Sequence, residues 1–220
     1  MNRLFFYFII FPVSIFSQGK LIEVCGIDGA GKTTLIQGLK KSIESKGYSV
    51  FVLKPNRGDD SFYPFLSCIT SIAENDPKLK NTAAIFKHNY FSFYLLTQRE
   101  NIENALEKND FVILDRYLYS HKVYQKAFEN DNSNFEVAYR TLPQADYIIL
   151  LSLPIEIAFD RIHSRGAPIE TYENYLFLEK AQNIFINLLP EIALTKLVHK
   201  SGILDRNVLA EEVLEVILPK

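Results

Sequence analysis

The sequence has few cysteines and no excess of charge of either sign. Cys25 and Cys68, its two cysteines, are too few for a disulfide framework and do not form a zinc-binding pattern. The net charge of −2 provides no overall positive field for nucleic acid or an anionic membrane, although basic residues that converge locally could bind a small anion. The apolar fraction of 48% and the charged fraction of 23% exclude a disordered, collagen-like or coiled-coil chain. A length of 220 residues predicts one domain with an inserted lid.

Strand-like and helix-like segments alternate from residue 20 onward. β-rich runs predict strands at residues 21–25, 48–53, 111–115, 146–153 and 196–199. Helical patterns lie at residues 33–46, 62–74, 82–108, 173–189 and 207–218. Two of the runs, 111–115 and 146–153, are almost continuously apolar, as in strands buried on both faces. The alternation predicts an α/β fold with a parallel sheet and helices on both faces.

A glycine-rich stretch follows the first strand and precedes the first helix. Gly26-Ile27-Asp28-Gly29-Ala30-Gly31-Lys32-Thr33 matches the phosphate-binding pattern G-x-x-x-x-G-K-[ST] at every fixed position. Its glycines allow backbone N–H groups to converge on a phosphate, and the helix start adds partial positive charge. Lys32 can reach the outer phosphates, and the Thr33 hydroxyl can hold Mg²⁺. The motif therefore predicts a site for a nucleoside triphosphate and Mg²⁺, without indicating the reaction.

Asp115 ends the strand at residues 111–115 and Arg116 follows it, at the edge where open α/β sheets bind ligands. Asp115 could hold Mg²⁺ through water or accept a proton, and Arg116 could bind a phosphate; a surface ion pair is the alternative. Further arginines, which no amphipathic pattern explains, are Arg57, Arg99, Arg161 and Arg165. Since transfer between two polyphosphates must neutralise several charges, these arginines favour an acceptor that itself carries phosphate.

At residues 20–218 the chain resembles the thymidylate kinase family of P-loop nucleoside-monophosphate kinases. The resemblance rests on four blocks: residues 22–34, the helix with Arg99, residues 112–125, and residues 147–173 with their lid. The most discriminating is Asp115-Arg-Tyr-x-x-Ser-x-x-x-Tyr-Gln125, which is not a general P-loop feature. The resemblance implies a three-layer P-loop NTPase fold with a five-stranded parallel sheet, and ATP-dependent phosphorylation of dTMP to dTDP.

The resemblance also implies a role for each matching residue. ATP would contact Gly26, Gly29, Ala30, Gly31, Lys32, Thr33 and Thr34, together with Arg161 and Arg165 in or beside a lid at about residues 161–172. Mg²⁺ would be held by Thr33 and Asp115. The acceptor phosphate would be bound by Arg57, Arg99 and Arg116, and its sugar hydroxyl by Asp28. Ser120 and His121 would face the base, and Tyr124 would pack against C2′ and disfavour ribonucleotides. The family commonly forms homodimers.

Three departures from the family pattern concern the acceptor and the lid. Many bacterial members have Arg-Glu-Pro-Gly after the second strand, where this chain has Leu53-Lys-Pro-Asn-Arg57. Leu95 stands where thymine usually stacks on a phenylalanine, and Thr171 stands where the lid usually has an arginine. These departures keep open a related P-loop kinase for another nucleotide, a deoxynucleoside or a small-molecule phosphate. A GTPase-like switch or binding module is a third hypothesis, but the sequence has no Asn-Lys-x-Asp guanine-binding block.

Residues 1–18 form a hydrophobic extension before the predicted domain at residues 19–220. Its apolar run is shorter than the roughly 20 residues of a membrane helix, and its length after Arg3 resembles a signal peptide. It could be a signal or anchor, a strand or packing arm, or a spurious extension before a start near Gln18. We favour the third because ATP and nucleoside monophosphates are cytoplasmic. We accordingly expect a cytoplasmic enzyme with no nucleic-acid partner and no stable membrane association.

Overall fold

Five parallel strands form the centre of the computed structural model, which describes residues 19–55, 67–69, 71, 76, 78, 80–131, 133–166, 173–187, 196–201 and 205–218. The strands are β1 (Lys20–Cys25), β2 (Val50–Leu53), β3 (Phe111–Asp115), β4 (Tyr147–Ser152) and β5 (Lys196–Ser201). Their order across the sheet is β2-β3-β1-β4-β5. The predicted five-stranded parallel sheet is confirmed, and each predicted strand boundary lies within two residues of the observed one.

Helices pack against this sheet through two clusters of buried side chains. The helices are α1 (Lys32–Ser45), α2 (Lys80–Thr97), α3 (Arg99–Lys108), α4 (Leu118–Ala127), α5 (Glu136–Tyr139), α6 (Ile155–Ser164), α7 (Tyr175–Asn187) and α8 (Arg206–Ile217). The larger cluster joins Ile22 and Ile113 to α1, α4, α6, α7 and α8. The second joins Leu21 and Leu114 to α2, α3 and α5. Because successive strand residues point to opposite faces, the clusters cover the two faces of β1 and β3, which confirms three layers.

The register of the central strands brings their carboxyl ends to one edge of the sheet. Val24 pairs with Asp115 across β1 and β3, and Cys25 pairs with Leu150 across β1 and β4. The loop that follows Cys25 and the turn that follows Asp115 therefore start side by side. This edge is where a doubly wound sheet binds its ligands.

The predicted single helix at residues 82–108 is wrong, since α2 and α3 are separated at Gln98. The Thr97 hydroxyl donates to the Tyr94 carbonyl at 2.7 Å, and that carbonyl would otherwise accept from the Gln98 N–H. The Gln98 N–H bonds instead to the Leu95 carbonyl at 3.2 Å, one residue closer in sequence, which tightens the chain there.

Several sequence-based expectations fall wholly or partly outside the described residues. These are the extension at residues 1–18, Arg57, much of the helix predicted at 62–74, and lid residues 167–172. None of the helices in the described part of the chain is both long and apolar enough to cross a membrane.

Candidate active site

The glycine-rich loop between β1 and α1 has a backbone that side chains would obstruct. Gly26 and Gly29 have φ angles of 134° and 79°, in the left-handed region. A Cβ on Gly26 would lie 2.3 Å from the Leu151 carbonyl oxygen, and one on Gly29 would lie 2.4 Å from that of Ala158. A Cβ on Gly31, in contrast, would meet only Arg161 Nη1, at 3.8 Å, among the atoms of the described residues. The loop is thus packed tightly on its inner side and remains open at Gly31, as a phosphate cradle requires.

Lys32 is the first residue of α1, and its side chain is buried under this loop. Its Nζ donates to the Ile27 carbonyl at 2.7 Å and lies 3.7 Å from Asp28 Oδ1. Burial, together with the nearby charge of Arg116, lowers the pKa of Lys32 to about 8. Thr33 and Thr34 follow on the exposed part of the helix, and Ala30 is buried within the loop. The predicted phosphate-binding residues thus surround one cradle, with a buried amine beneath it.

Arg116 occupies the turn after β3 in a conformation that non-glycine residues rarely adopt. Its φ angle is 68°, which costs on the order of 1–3 kcal/mol. Its Nη2 donates to Asp28 Oδ1 at 2.6 Å, and its guanidinium lies 4.7 Å from the centre of the Tyr124 ring. Nη1 is buried and has no hydrogen-bond partner among the described residues. This guanidinium therefore has donor capacity left for a ligand oxygen.

Asp28 connects the phosphate loop to the turn after β3. One of its oxygens accepts from Arg116, and the other accepts from the Tyr124 hydroxyl at 3.1 Å. Burial by itself would raise the pKa of Asp28, but the positive charges of Arg116 and Lys32 outweigh burial and hold this pKa well below its usual range. Burial raises the pKa of Tyr124, so its hydroxyl stays protonated. Four predicted site residues, which come from two distant segments of the chain, therefore form one cluster: Asp28, Lys32, Arg116 and Tyr124.

Thr33 and Asp115, the predicted metal ligands, line one surface pocket together with Lys54. Asp115 is 8% exposed, and its Oδ2 lies 2.6 Å from Lys54 Nζ. No group of three or more acidic, histidine or cysteine side chains that could hold a metal occurs in the described part of the chain. Mg²⁺ in nucleotide sites commonly uses one or two protein oxygens, with phosphates and waters as the remaining ligands. One hydroxyl and one carboxylate beside a phosphate cradle fit such an ion.

Glu23, a residue that the sequence reasoning missed, holds the start of α4. It is a single acidic residue within the apolar strand β1 and is 1% exposed. Its carboxylate accepts from the backbone N–H groups of Tyr117, Tyr119 and Ser120 and from the Ser120 hydroxyl, at 2.8–3.0 Å. Burial raises the pKa of Glu23, while these four hydrogen bonds act in the opposite direction. The signal available in the sequence was the isolated charge in a strand that is otherwise buried.

Ser120 and His121, predicted to face the base, already have protein partners. The Ser120 hydroxyl donates to Glu23, and His121 Nε2 lies 3.0 Å from Ser92 Oγ and 2.9 Å from the Tyr139 hydroxyl. Burial, with smaller contributions from His88 and Lys122, lowers the pKa of His121 to about 3, so this imidazole is neutral. Contact of either side chain with a base stays a prediction.

Leu95 and Arg99 differ sharply in exposure. Leu95 is fully buried in the second hydrophobic cluster, so it offers no open face to a base. Arg99 begins α3, is 51% exposed, and pairs with Glu103 at 2.8 Å. Since α3 leads into β3 through a short loop, its first residue lies towards the edge of the sheet that carries Asp115. The predicted role of Arg99 at the acceptor phosphate remains a prediction.

Arg161 within α6 and Arg165 directly after it lie at different distances from the phosphate loop. Arg161 Nη1 donates to the Gly29 carbonyl at 3.2 Å, which places Arg161 beside the cradle. Arg165 follows the last residue of α6, and its Nη2 contacts both carboxylate oxygens of the buried Glu173 at 2.6 and 2.7 Å. This ion pair connects the described start of the predicted lid to the residue that follows the lid. The structure thus brings Arg161, but not Arg165, into contact with the loop.

Comparisons with known proteins find relatives of this chain. A family model described as thymidylate kinase matches residues 24–201. A relative from Saccharolobus solfataricus named "Probable thymidylate kinase 1" is 34% identical, covering 76% of this chain and 87% of its own. A "Probable thymidylate kinase" from Archaeoglobus fulgidus is 33% identical (76% and 80% covered), and a "Thymidylate kinase" from Xanthomonas campestris is 32% identical (77% and 72%).

Two solved structures share the fold at lower sequence identity. A deoxyadenosine kinase from M. mycoides superimposes with a TM-score of 0.63 at 19% identity, covering 90% of this chain and 98% of its own. The thymidylate kinase of Candida albicans gives a TM-score of 0.61 at 22% identity, covering 91% of both chains. The P-loop kinase fold is therefore confirmed. Because the family model spans most of the sequence and the relatives match about three quarters of it, the chain belongs to the thymidylate kinase family.

Proposed function

We propose that this protein transfers the γ-phosphoryl group of ATP to dTMP, which gives dTDP and ADP. One observation carries the proposal: the half-buried Arg116 guanidinium lies against Asp28 of the phosphate loop, and its buried Nη1 is unpaired among the described residues. An unsatisfied buried donor beside a triphosphate site is what a second, phosphate-bearing substrate requires. Membership of the thymidylate kinase family supports dTMP as that substrate.

The donor half of the site consists of the phosphate loop and α1. The loop N–H groups, the start of α1 and Lys32 bind the ATP phosphates, and Arg161 lies beside them. Thr33 and Asp115 are the residues that would hold Mg²⁺, which supplies charge neutralisation to the phosphates when bound. When ATP binds, the Lys32 amine donates to a phosphate oxygen in place of the Ile27 carbonyl. The negative charge of the phosphate then raises the pKa of Lys32, which burial has lowered.

The acceptor half of the site consists of Arg116, Asp28 and Tyr124. Arg116 binds the phosphate of dTMP through its unpaired Nη1 and orients it towards the donor. The attacking phosphate oxygen is already anionic, so the reaction needs positioning and charge stabilisation rather than a strong base. Asp28 faces the sugar hydroxyl, and the Tyr124 ring packs near C2′, where it disfavours a ribose. Arg57 and Arg99 add positive charge to the same phosphate.

The test is ADP release by the full-length protein with ATP, Mg²⁺ and a panel of nucleoside monophosphates. The expected result is preferential turnover of dTMP, weaker turnover of dUMP, and still weaker turnover of UMP, the ribose counterpart of dUMP. The comparison of dUMP with UMP isolates the contribution of the 2′ position, since the base is the same. Preferential turnover of another acceptor would contradict dTMP as substrate but keep the phosphoryl transfer. ATP binding with no turnover of any acceptor would contradict the proposed kinase activity.

The proposal extends to a cytoplasmic homodimer that needs no nucleic-acid or membrane partner. The cytoplasm is where ATP and nucleoside monophosphates occur together, and family membership supports the homodimer. Light scattering of the purified full-length protein should give twice the chain mass of 25.3 kDa. A mass of one chain at micromolar concentrations would contradict the dimer.

A further inference from the structure

Glu23 contacts the proposed site at two adjoining places, the turn that carries Arg116 and the start of α4, the helix that carries Ser120 and Tyr124. It lies on β1, and both of its oxygens are used at the start of α4. Tyr117 precedes this helix and provides no side-chain cap of its own. Glu23 therefore replaces the missing cap from another element, with a negative charge at the positive end of the helix dipole.

The contacts of β1 hold the backbone on both sides of Arg116. The Arg116 N–H donates to the Val24 carbonyl at 3.0 Å, and the Tyr117 N–H donates to Glu23 Oε1 at 3.0 Å. Arg116, the residue between these two bonds, has the positive φ angle of 68°, and in this conformation its side chain bonds to Asp28. A strained conformation persists only where its surroundings determine it, and here two consecutive residues of β1 do so.

We infer that Glu23 is a positioning residue, which sets the backbone of Arg116 and thereby aims its guanidinium at the acceptor phosphate. The inference rests on the proposed function, because it assigns Glu23 to the acceptor half of the reaction. Glu23 does not contact the reacting groups and moves no proton. Loss of its charge leaves the phosphate loop intact but releases the turn after β3.

The test is steady-state kinetics of the full-length Glu23→Gln variant with dTMP and ATP. Gln keeps the shape of Glu but brings an amide N–H group towards backbone N–H groups. We expect kcat/KM for dTMP to fall by about 10- to 100-fold, while KM for ATP remains close to that of the unaltered protein. Ile22→Val is the matched control: Ile22 is also fully buried in β1, but it points to the other face, and its kinetic constants should be unchanged.

A double-mutant cycle with Arg116→Ala separates positioning from a general loss of stability. If Glu23 acts through Arg116, then Glu23→Gln should add little to the loss caused by Arg116→Ala. Independent, additive losses, or an equal rise in KM for both substrates, would overturn the inference. If Glu23→Gln does not fold, Glu23→Asp keeps the charge with a shorter reach and should show the same selective loss. An unaltered protein that turns over no nucleoside monophosphate would overturn the proposed function and this inference with it, whereas an active protein indifferent to Glu23→Gln would overturn the inference alone.

Discussion

The phosphate loop and the turn after β3 face the same cleft, but they are built differently. The loop is one continuous segment, and its shape comes from glycines packed against the backbone of β4 and α6. The turn contains no glycine, and its strained Arg116 is held by residues of β1, a strand about 90 positions earlier. Both sites thus depend on contacts with distant elements, but the donor loop has its conformationally permissive residues within one segment, whereas the acceptor turn has a strained non-glycine residue. Asp28 connects the two, since its carboxylate pairs with Arg116 and lies near Lys32.

Removal of the Lys32 amine should have the largest effect on activity, because it disables the donor half. We expect Lys32→Ala to lower kcat by about 100- to 1,000-fold, as a charge aimed at the transferring group is lost. Steady-state assays with circular dichroism as a check on folding measure this. The control is Lys41→Ala, an exposed lysine of the same helix, which should leave kcat unchanged. A near-normal kcat for Lys32→Ala would contradict the assignment of the donor half.

The tight packing of the loop can be tested by adding one methyl group. Gly29→Ala should lower the free energy of unfolding by about 3 kcal/mol and weaken ATP binding, because the new Cβ meets the Ala158 carbonyl at a φ angle of 79°. Gly47→Ala is the matched control, since Gly47 has a φ angle of 89° but nothing within 4 Å. Its free energy of unfolding should fall only by the cost of a positive φ angle in a residue with a side chain, about 1–2 kcal/mol. Chemical denaturation compares the two; equal losses would contradict the packing account.

The ion pair between Asp28 and Arg116 connects the donor and acceptor halves of the site, and it should contribute to the free energy of unfolding. This contribution should depend on pH. Asp28→Asn removes the charge that pairs with Arg116, so we expect a loss of about 1–3 kcal/mol at neutral pH. Because the pKa of Asp28 is held below its ordinary value of about 3.9, its contribution is present above that pH and is lost as the pH falls towards the lowered pKa. The difference between Asp28→Asn and the unaltered protein should therefore shrink in acid. Asp160→Asn, at an exposed helix position, is the control and should change the free energy of unfolding by no more than about 0.5 kcal/mol at neutral pH.

The pH dependence of ATP affinity is the smallest expected effect. Lys32 has a pKa of about 8 in the ligand-free site, and phosphate charge favours its protonated form. ATP binding should thus take up a proton at about pH 8, and affinity should fall by up to tenfold per pH unit above that value. Calorimetric titration with a non-hydrolysable ATP analogue at pH 7 and pH 9 measures the change. Lys32→Arg, whose charge does not titrate in this range, should abolish the fall in ATP affinity above pH 8. A fall that persists in this variant would show that another group causes it.

The same contrast determines how much the sequence could predict. Residues 26–33 carry their own conformational information, so the glycine-rich loop and the strands around it were placed correctly, while phosphate binding by the loop stays a prediction. The role of Glu23 could not be predicted, because its partners lie at positions 117–120 and only the folded sheet brings them together. The break at Gln98 depends on one hydroxyl–carbonyl bond, which helical periodicity does not register. Leu95, at the position that the resemblance assigned to the base, is fully buried because α2 and α3 pack against β3.

Equilibrium binding of dTMP and of an ATP analogue to Arg116→Ala tests most directly whether the site has separate donor and acceptor halves. The account predicts that dTMP affinity falls by about 10- to 100-fold, through loss of charge-assisted hydrogen bonds to its phosphate, while affinity for the analogue stays near that of the unaltered protein. Unchanged dTMP affinity, or an equal loss for both nucleotides, would contradict the assignment of Arg116 to the acceptor phosphate.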